Sequence, residues 1–153
     1  MKRWERSWFN LSALAVAATG FAYFWMKYFV QTDDPFAVVN HPWESAMLSL
    51  HVVASPAFIL VFGIILNSHI IKKLGVTKVP NRKSGYISFV TFAAMVCSGY
   101  MLQVATHERV ISALVILHVG SGTIFSIAYV VHLAISARIV RQRGAPVTIR
   151  EVA

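Results

Sequence analysis

An all-α integral membrane four-helix bundle, with the N-terminus and the C-terminus both on the cytoplasmic side (N-in and C-in), is the fold class predicted by three features of this 153-residue sequence. Four apolar runs are each long enough to cross a bilayer. The composition is 57% hydrophobic and only 13% charged, with a mean hydropathy of +0.63, whereas ordinary soluble domains are about a quarter charged. Basic residues gather in alternate connecting segments, the pattern of a chain that threads a membrane repeatedly.

The apolar runs place spans near residues 8–30, 45–71, 85–104 and 110–139. A helix rises about 1.5 Å per residue, so about 20 residues cross the hydrocarbon layer, and the longer second and fourth spans must tilt or project beyond it. The first span follows Lys2, Arg3 and Arg6 as the core of a signal peptide would. Its apolar stretch continues through Phe21 to Trp25, too long for such a core, and reads as a retained helix. Pro56 is expected to kink span two, because it removes a helical N–H and crowds the preceding turn. Gly75 to Ser84, with Pro80 and Asn81, reads as a polar basic turn, and Gly144 to Ala153 as a short tail. The whole reads as a single transmembrane domain, 1–153, with no internal repeat or low-complexity tract.

Charge sets the orientation. Lys2, Arg3 and Arg6 precede span one; Lys72, Lys73, Lys78, Arg82 and Lys83 follow span two; Arg138, Arg141, Arg143 and Arg150 follow span four. The opposite side carries Asp33, Asp34 and Glu44 in one loop and Glu108 with Arg109 in the other. By the positive-inside rule the basic side is cytoplasmic, and the chain reads as a multi-pass membrane protein. Trp4, Trp8, Trp25 and Trp43 fall near span ends, as an aromatic belt places them. The net charge of +8 does not point to nucleic acid, because these cations lie between apolar spans and not on one water-facing surface. The single cysteine, Cys97, lies within an apolar run and reads as a small buried hydrophobe.

Histidines carry the functional signal. Four of the six, His51, His69, His118 and His132, lie within spans, where an ionisable side chain is costly and marks function by default. His51 and His69 are 18 residues apart on span two. That is five helical turns, one face, and about 27 Å along the axis. His118 and His132 are 14 residues apart on span four, within about 40° of one stripe and about 21 Å apart. Counted from the outer span ends, His51 lies 6 residues past Ser45 and His118 lies 8 past Val110. His69 lies 24 past Ser45 and His132 lies 22 past Val110, so the four fall into two matched levels.

Two facing histidines at one depth between apolar walls are what a bis-histidine haem requires. His51 with His118 is assigned to an outer haem and His69 with His132 to an inner one. Taken singly, each histidine equally suits a hydrogen bond to a neighbouring helix, and His69 could reach water at the interface. After His118, the run Val119, Gly120, Ser121 and Gly122 offers room beside the helix for a flat cofactor or for ordinary helix packing. Lys72, Lys73, Arg82, Lys83 and Arg138 are candidate partners of the inner propionates, and Arg109 and His41 of the outer. Topology alone explains most of those cations.

The spans and their histidines resemble the bacterial four-helix di-haem membrane cytochromes b, across residues 8 to 139 and most firmly at the 14-residue spacing of His118 and His132. The resemblance implies a place in the bacterial inner membrane, two haem b groups with bis-histidine ligation, electron transfer through the membrane, and partners among other redox subunits or a periplasmic cytochrome. In several such families a ligand comes from the first helix; here span one has no histidine and His69 takes that role.

Quinone is a candidate second ligand. The outer segments contain His41 and Glu44, and His107 and Glu108, pairs that suit proton acceptance from a quinol or a packed loop that docks a partner. The reading favoured by these residues is a membrane electron-transfer subunit with no catalytic residues of its own, linking a periplasmic-side redox partner to the quinone pool or a partner subunit. A self-sufficient quinone-linked oxidoreductase acting on a small electron carrier is the alternative. A haem-free metal-binding or proton-handling membrane protein is the third reading. No glycine-rich phosphate loop, HExxH or CxxC motif occurs.

Overall fold

The computed structural model describes residues 2–71 and 82–144, with backbone only at 68–70, 82, 84 and 143–144. The described chain is helical throughout its regular structure: α1 (Arg3–Tyr28), α2 (Glu44–Ile65) running into a π-helical turn (Leu66–Ile71), α3 (Arg82–Val104) and α4 (Glu108–Gly144). All four helices are long and apolar enough to cross a membrane. This is the build of a multi-pass membrane protein, and it matches the four predicted spans. α4 has 37 residues, about 55 Å of helix, so it exceeds the roughly 30 Å hydrocarbon layer.

Two compact units divide the chain, Met1–Thr77 and Lys78–Ala153. The first is the hairpin of α1 and α2. Its core is a ladder of small and aromatic residues, Phe9, Ala13 and Val16 against Phe58, Phe62 and Ile65, all buried. Phe9 sits between two rings, with centroids 5.4 Å from Phe58 and 6.1 Å from Phe62. α1 begins earlier than the hydropathy predicts because Glu5, itself buried, accepts the Lys2 N–H at 2.8 Å and satisfies one of the helix's first donors. Asn40 ties the far end together. Its side-chain amide donates to the Lys27 carbonyl at 2.8 Å in the last turn of α1, and its own N–H donates to Glu44 Oε2 at 3.0 Å. One residue thereby fixes the end of α1 against the start of α2.

The second unit is the hairpin of α3 and α4. Phe92 meets Phe125 at 5.8 Å between centroids, and Phe125 stacks on Tyr129 at 5.9 Å. Ser98, Leu114 and Ser121 complete the buried set, the two hydroxyls donating to carbonyls of their own helices. On both hairpins large apolar side chains face outward, among them Leu14, Val53, Ile116 and Val130, each more than 60% exposed. Apolar outward faces on spanning-length helices suit lipid, whose tails are as apolar as leucine.

Two expectations need correction. Cys97 is exposed on α3 rather than buried, which costs nothing where the surroundings are acyl chains. α2 runs as α-helix through Pro56 and leaves that geometry further on, at Leu66–Ile71. The five-turn count that set His69 above His51 assumed α-helix throughout, and the wider π turn, bonded i to i+5, breaks that count.

Candidate functional site

Each hairpin builds the same setting around one histidine, and a glycine makes it possible. In an α-helix every Cα–Cβ bond tilts toward the N-terminus, so a side chain covers the carbonyl of the preceding turn. Gly20 and Gly99 have no side chain, and the carbonyls one turn before them, of Val16 and Met95, are open to the neighbouring helix. His51 on α2 places Nδ1 2.9 Å from the Val16 carbonyl oxygen. His118 on α4 places Nδ1 2.9 Å from that of Met95.

The fit is close. A β-carbon on Gly20 would stand 2.8 Å from His51 Cε1 and 2.9 Å from Nδ1; on Gly99 it would stand 2.9 Å and 3.2 Å from the same atoms of His118. A hydroxyl precedes each glycine. Thr19 Oγ1 lies 3.5 Å from His51 Nδ1, and Ser98 Oγ lies 3.4 Å from His118 Nδ1. Those separations are too long to be the main bond, but both hydroxyls also donate toward the carbonyl the histidine uses, at 3.2 Å for Val16 and 3.0 Å for Met95.

Because a carbonyl oxygen only accepts, the short contact assigns the ring proton to Nδ1 in both histidines. In a neutral imidazole the lone pair is then on Nε2. A histidine that ligates a metal through one nitrogen almost always donates from the other to a carbonyl, carboxylate or water, which fixes the ring and raises its basicity. His51 and His118 fit that role for a haem iron. The small cradle opposite each ring, which a β-carbon would fill, fixes the ring's place against the neighbouring helix.

The third described membrane histidine repeats the theme more loosely. His132 is half-buried on α4, and a β-carbon on Gly85 would stand at an ordinary 3.7 Å from its Cε1. His69 lies in the π-helical turn, and its side chain is outside the described residues. Gly120 has open space where a β-carbon would be, and Gly122 faces Met95, whose sulfur would be 3.4 Å away. Gly122 therefore makes room for the residue whose carbonyl binds His118.

Of the cations, Lys72 and Lys73 fall outside the described residues, as does the Arg82 side chain, while Lys83, Arg109 and Arg138 are exposed. The segment between α1 and α2 is internally bonded. His41 Nδ1 accepts the Trp43 N–H at 3.1 Å, and Glu44, buried, accepts from Asn40. His107 and Glu108 are exposed at the start of α4. Among the described residues no three histidine, cysteine or acidic side chains come together as a metal-binding group.

Sequence reasoning missed Thr19, Gly20, Gly85, Ser98 and Gly99, although the sequence carries two signals for them. Gly85 and Gly99 are 14 residues apart on α3, the spacing of His132 and His118 on the antiparallel α4. Each hairpin also pairs a hydroxyl–glycine dipeptide on its first helix with a histidine on its second, followed seven residues later by Phe58 or Phe125. This is an internal repeat too degenerate to see without the pairing of helices. No family model, curated protein or solved structure matches the chain.

Proposed function

We propose that this chain is a di-haem b-type cytochrome of the bacterial inner membrane, passing electrons between a periplasmic-side redox partner and the quinone pool or a partner subunit. The observation that carries the reading is the repeated histidine setting, in which His51 and His118 each donate from Nδ1 to a glycine-exposed carbonyl at 2.9 Å. Hydrogen bonding alone is a weak reason for it. Interhelical hydrogen bonds inside membranes contribute about 0.6 kcal/mol on average and at most about 1.7, little return for an ionisable ring placed twice in a span with a glycine opposite.

Haem would supply one-electron exchange at iron, and the chain would supply ligands, orientation and a dry apolar surround. His51 and His118 are the proposed ligands of an outer haem, His69 and His132 of an inner one. Bis-histidine ligation needs only two protein groups, one from each of two helices. Little chain lies outside the helices to hold a further redox group, so in this reading the donor is a partner protein, with quinone as the membrane-borne electron carrier. The test is a reduced-minus-oxidised visible spectrum of the purified chain with a haem-to-protein ratio. Two b-type haems per chain support the reading; a colourless, folded protein rejects it.

A further inference from the structure

We infer that the dipeptides Thr19–Gly20 and Ser98–Gly99 are positioning residues, setting the ring plane and the electron-donating strength of His51 and His118. The inference rests on the haem reading and goes beyond ligation, because it assigns a role to residues on α1 and α3 that hold no ligand.

The glycines act by absence. A β-carbon at 2.8 Å from His51 Cε1 or 2.9 Å from His118 Cε1 is closer than real β-carbons approach, so alanine there must displace the ring. The same β-carbon would cover the carbonyl that receives Nδ1–H. In a helix alanine is otherwise favoured over glycine by about 1 kcal/mol, and glycine at both positions runs against that preference. Six helical glycines form a graded series: tight at Gly20 and Gly99, intermediate at Gly122, ordinary at Gly85, and open at Gly63 and Gly120.

The hydroxyls act through the shared acceptor. Thr19 donates mainly to Ala15 at 2.8 Å and secondarily to Val16 at 3.2 Å; Ser98 donates to Ala94 at 2.7 Å and to Met95 at 3.0 Å. A carbonyl that already receives part of a hydroxyl proton accepts the imidazole N–H less strongly. The ring then carries less negative charge and favours ferric iron less. Hydrogen bonding to the ligand ring is one of the levers a protein has on haem potential.

The experiment uses the full-length protein in detergent, with Gly20→Ala, Gly99→Ala, Gly63→Ala, Thr19→Val and Ser98→Ala. Readouts are haem content, the low-spin ferric electron paramagnetic resonance spectrum, which responds to imidazole plane orientation, and redox titration of both haems. Gly20→Ala and Gly99→Ala are expected to lose at least half of one haem or to shift its g-values, while Gly63→Ala keeps wild-type spectra. Thr19→Val and Ser98→Ala are expected to keep both haems and move one midpoint potential in the negative direction. These two variants decide the matter if the alanine variants do not fold. Two haems in the wild type with unchanged g-values and potentials in all four site variants overturn this inference and leave the haem reading standing. A haem-free wild type overturns both.

Discussion

His118 on α4 donates its Nδ1 proton to the main-chain carbonyl of Met95 on α3 at 2.9 Å. That bond leaves the lone pair of the neutral ring on Nε2, the atom through which the proposed haem would be held. His51 stands in the equivalent place against Val16. If the two serve one iron, His51→Ala, His118→Ala and the double variant should each reduce haem content from about two per chain to about one, with the same haem missing. If the bonds are only helix glue, each variant should keep both haems and lose about 0.6 kcal/mol, at most about 1.7, of stability. Pyridine haemochrome quantitation beside reversible unfolding in mixed micelles separates the two.

His132→Ala should remove the other haem, because Gly85 lies opposite its ring at ordinary contact distance and α4 carries it 14 residues beyond His118. Gly85→Ala should be tolerated, since a β-carbon there meets Cε1 at 3.7 Å. Loss of the same haem by His132→Ala and His118→Ala would overturn the two-level assignment, and a redox titration resolving one or two midpoints reads it directly.

The four spans were legible because lipid makes long apolar runs and basic connecting segments nearly sufficient evidence. The four histidines stood out for the same reason, being polar where polarity is costly. What stayed hidden depends on which helices pair. Gly20 and Gly99 look like ordinary small residues until α1 meets α2 and α3 meets α4, when the absent β-carbon turns out to face an imidazole. The π turn at Leu66–Ile71 was also illegible, since Leu66, Asn67 and Ser68 present no breaker and the hydrophobic run continues through Ile70 and Ile71. Gly120, which the sequence placed beside a cofactor, meets no side chain within 4 Å.

The aromatic ladders should behave as matched pairs. Phe58 and Phe125 occupy equivalent positions seven residues after His51 and His118, both buried. In soluble cores Phe→Ala costs roughly 3–5 kcal/mol. In lipid the transfer part falls away because the surroundings are equally apolar. Phe58→Ala and Phe125→Ala are therefore each expected to lose about 1–2 kcal/mol from packing and ring contact. Equal losses in the two hairpins, measured by unfolding in mixed micelles, are the expected result; a loss confined to one would show that the repeat is not shared in packing.

Glu44 is buried at the head of α2 and receives the Asn40 N–H, while Asn40 holds the end of α1. Hydrogen bonds to charged groups contribute about 1.5–3 kcal/mol, so Glu44→Ala should destabilise the first hairpin by about that amount. His41 accepts the Trp43 N–H and caps a turn. His41→Ala should accordingly leave quinol-driven haem reduction intact and cost about 1 kcal/mol of stability. Abolished reduction with unchanged folding would instead make His41 a proton acceptor.

Orientation decides which membrane face the proposed outer haem serves, and the charges give it a sign. Lys2, Arg3 and Arg6 before α1, the basic segment between α2 and α3, and the arginines ending α4 share one side, against Asp33 and Asp34 on the other. Moving so many cations outward would violate the positive-inside rule at three separate segments. In a Cys97→Ser background, a cysteine at Asp34 should react with a membrane-impermeant maleimide in cells with a permeable outer barrier, and one at Lys83 only after lysis. Both positions are exposed, so reactivity reports sidedness and not burial. The reverse pattern would place His51 and His118 at the cytoplasmic end and exchange the donor side with the acceptor side, which would send the search for the partner protein to the other compartment.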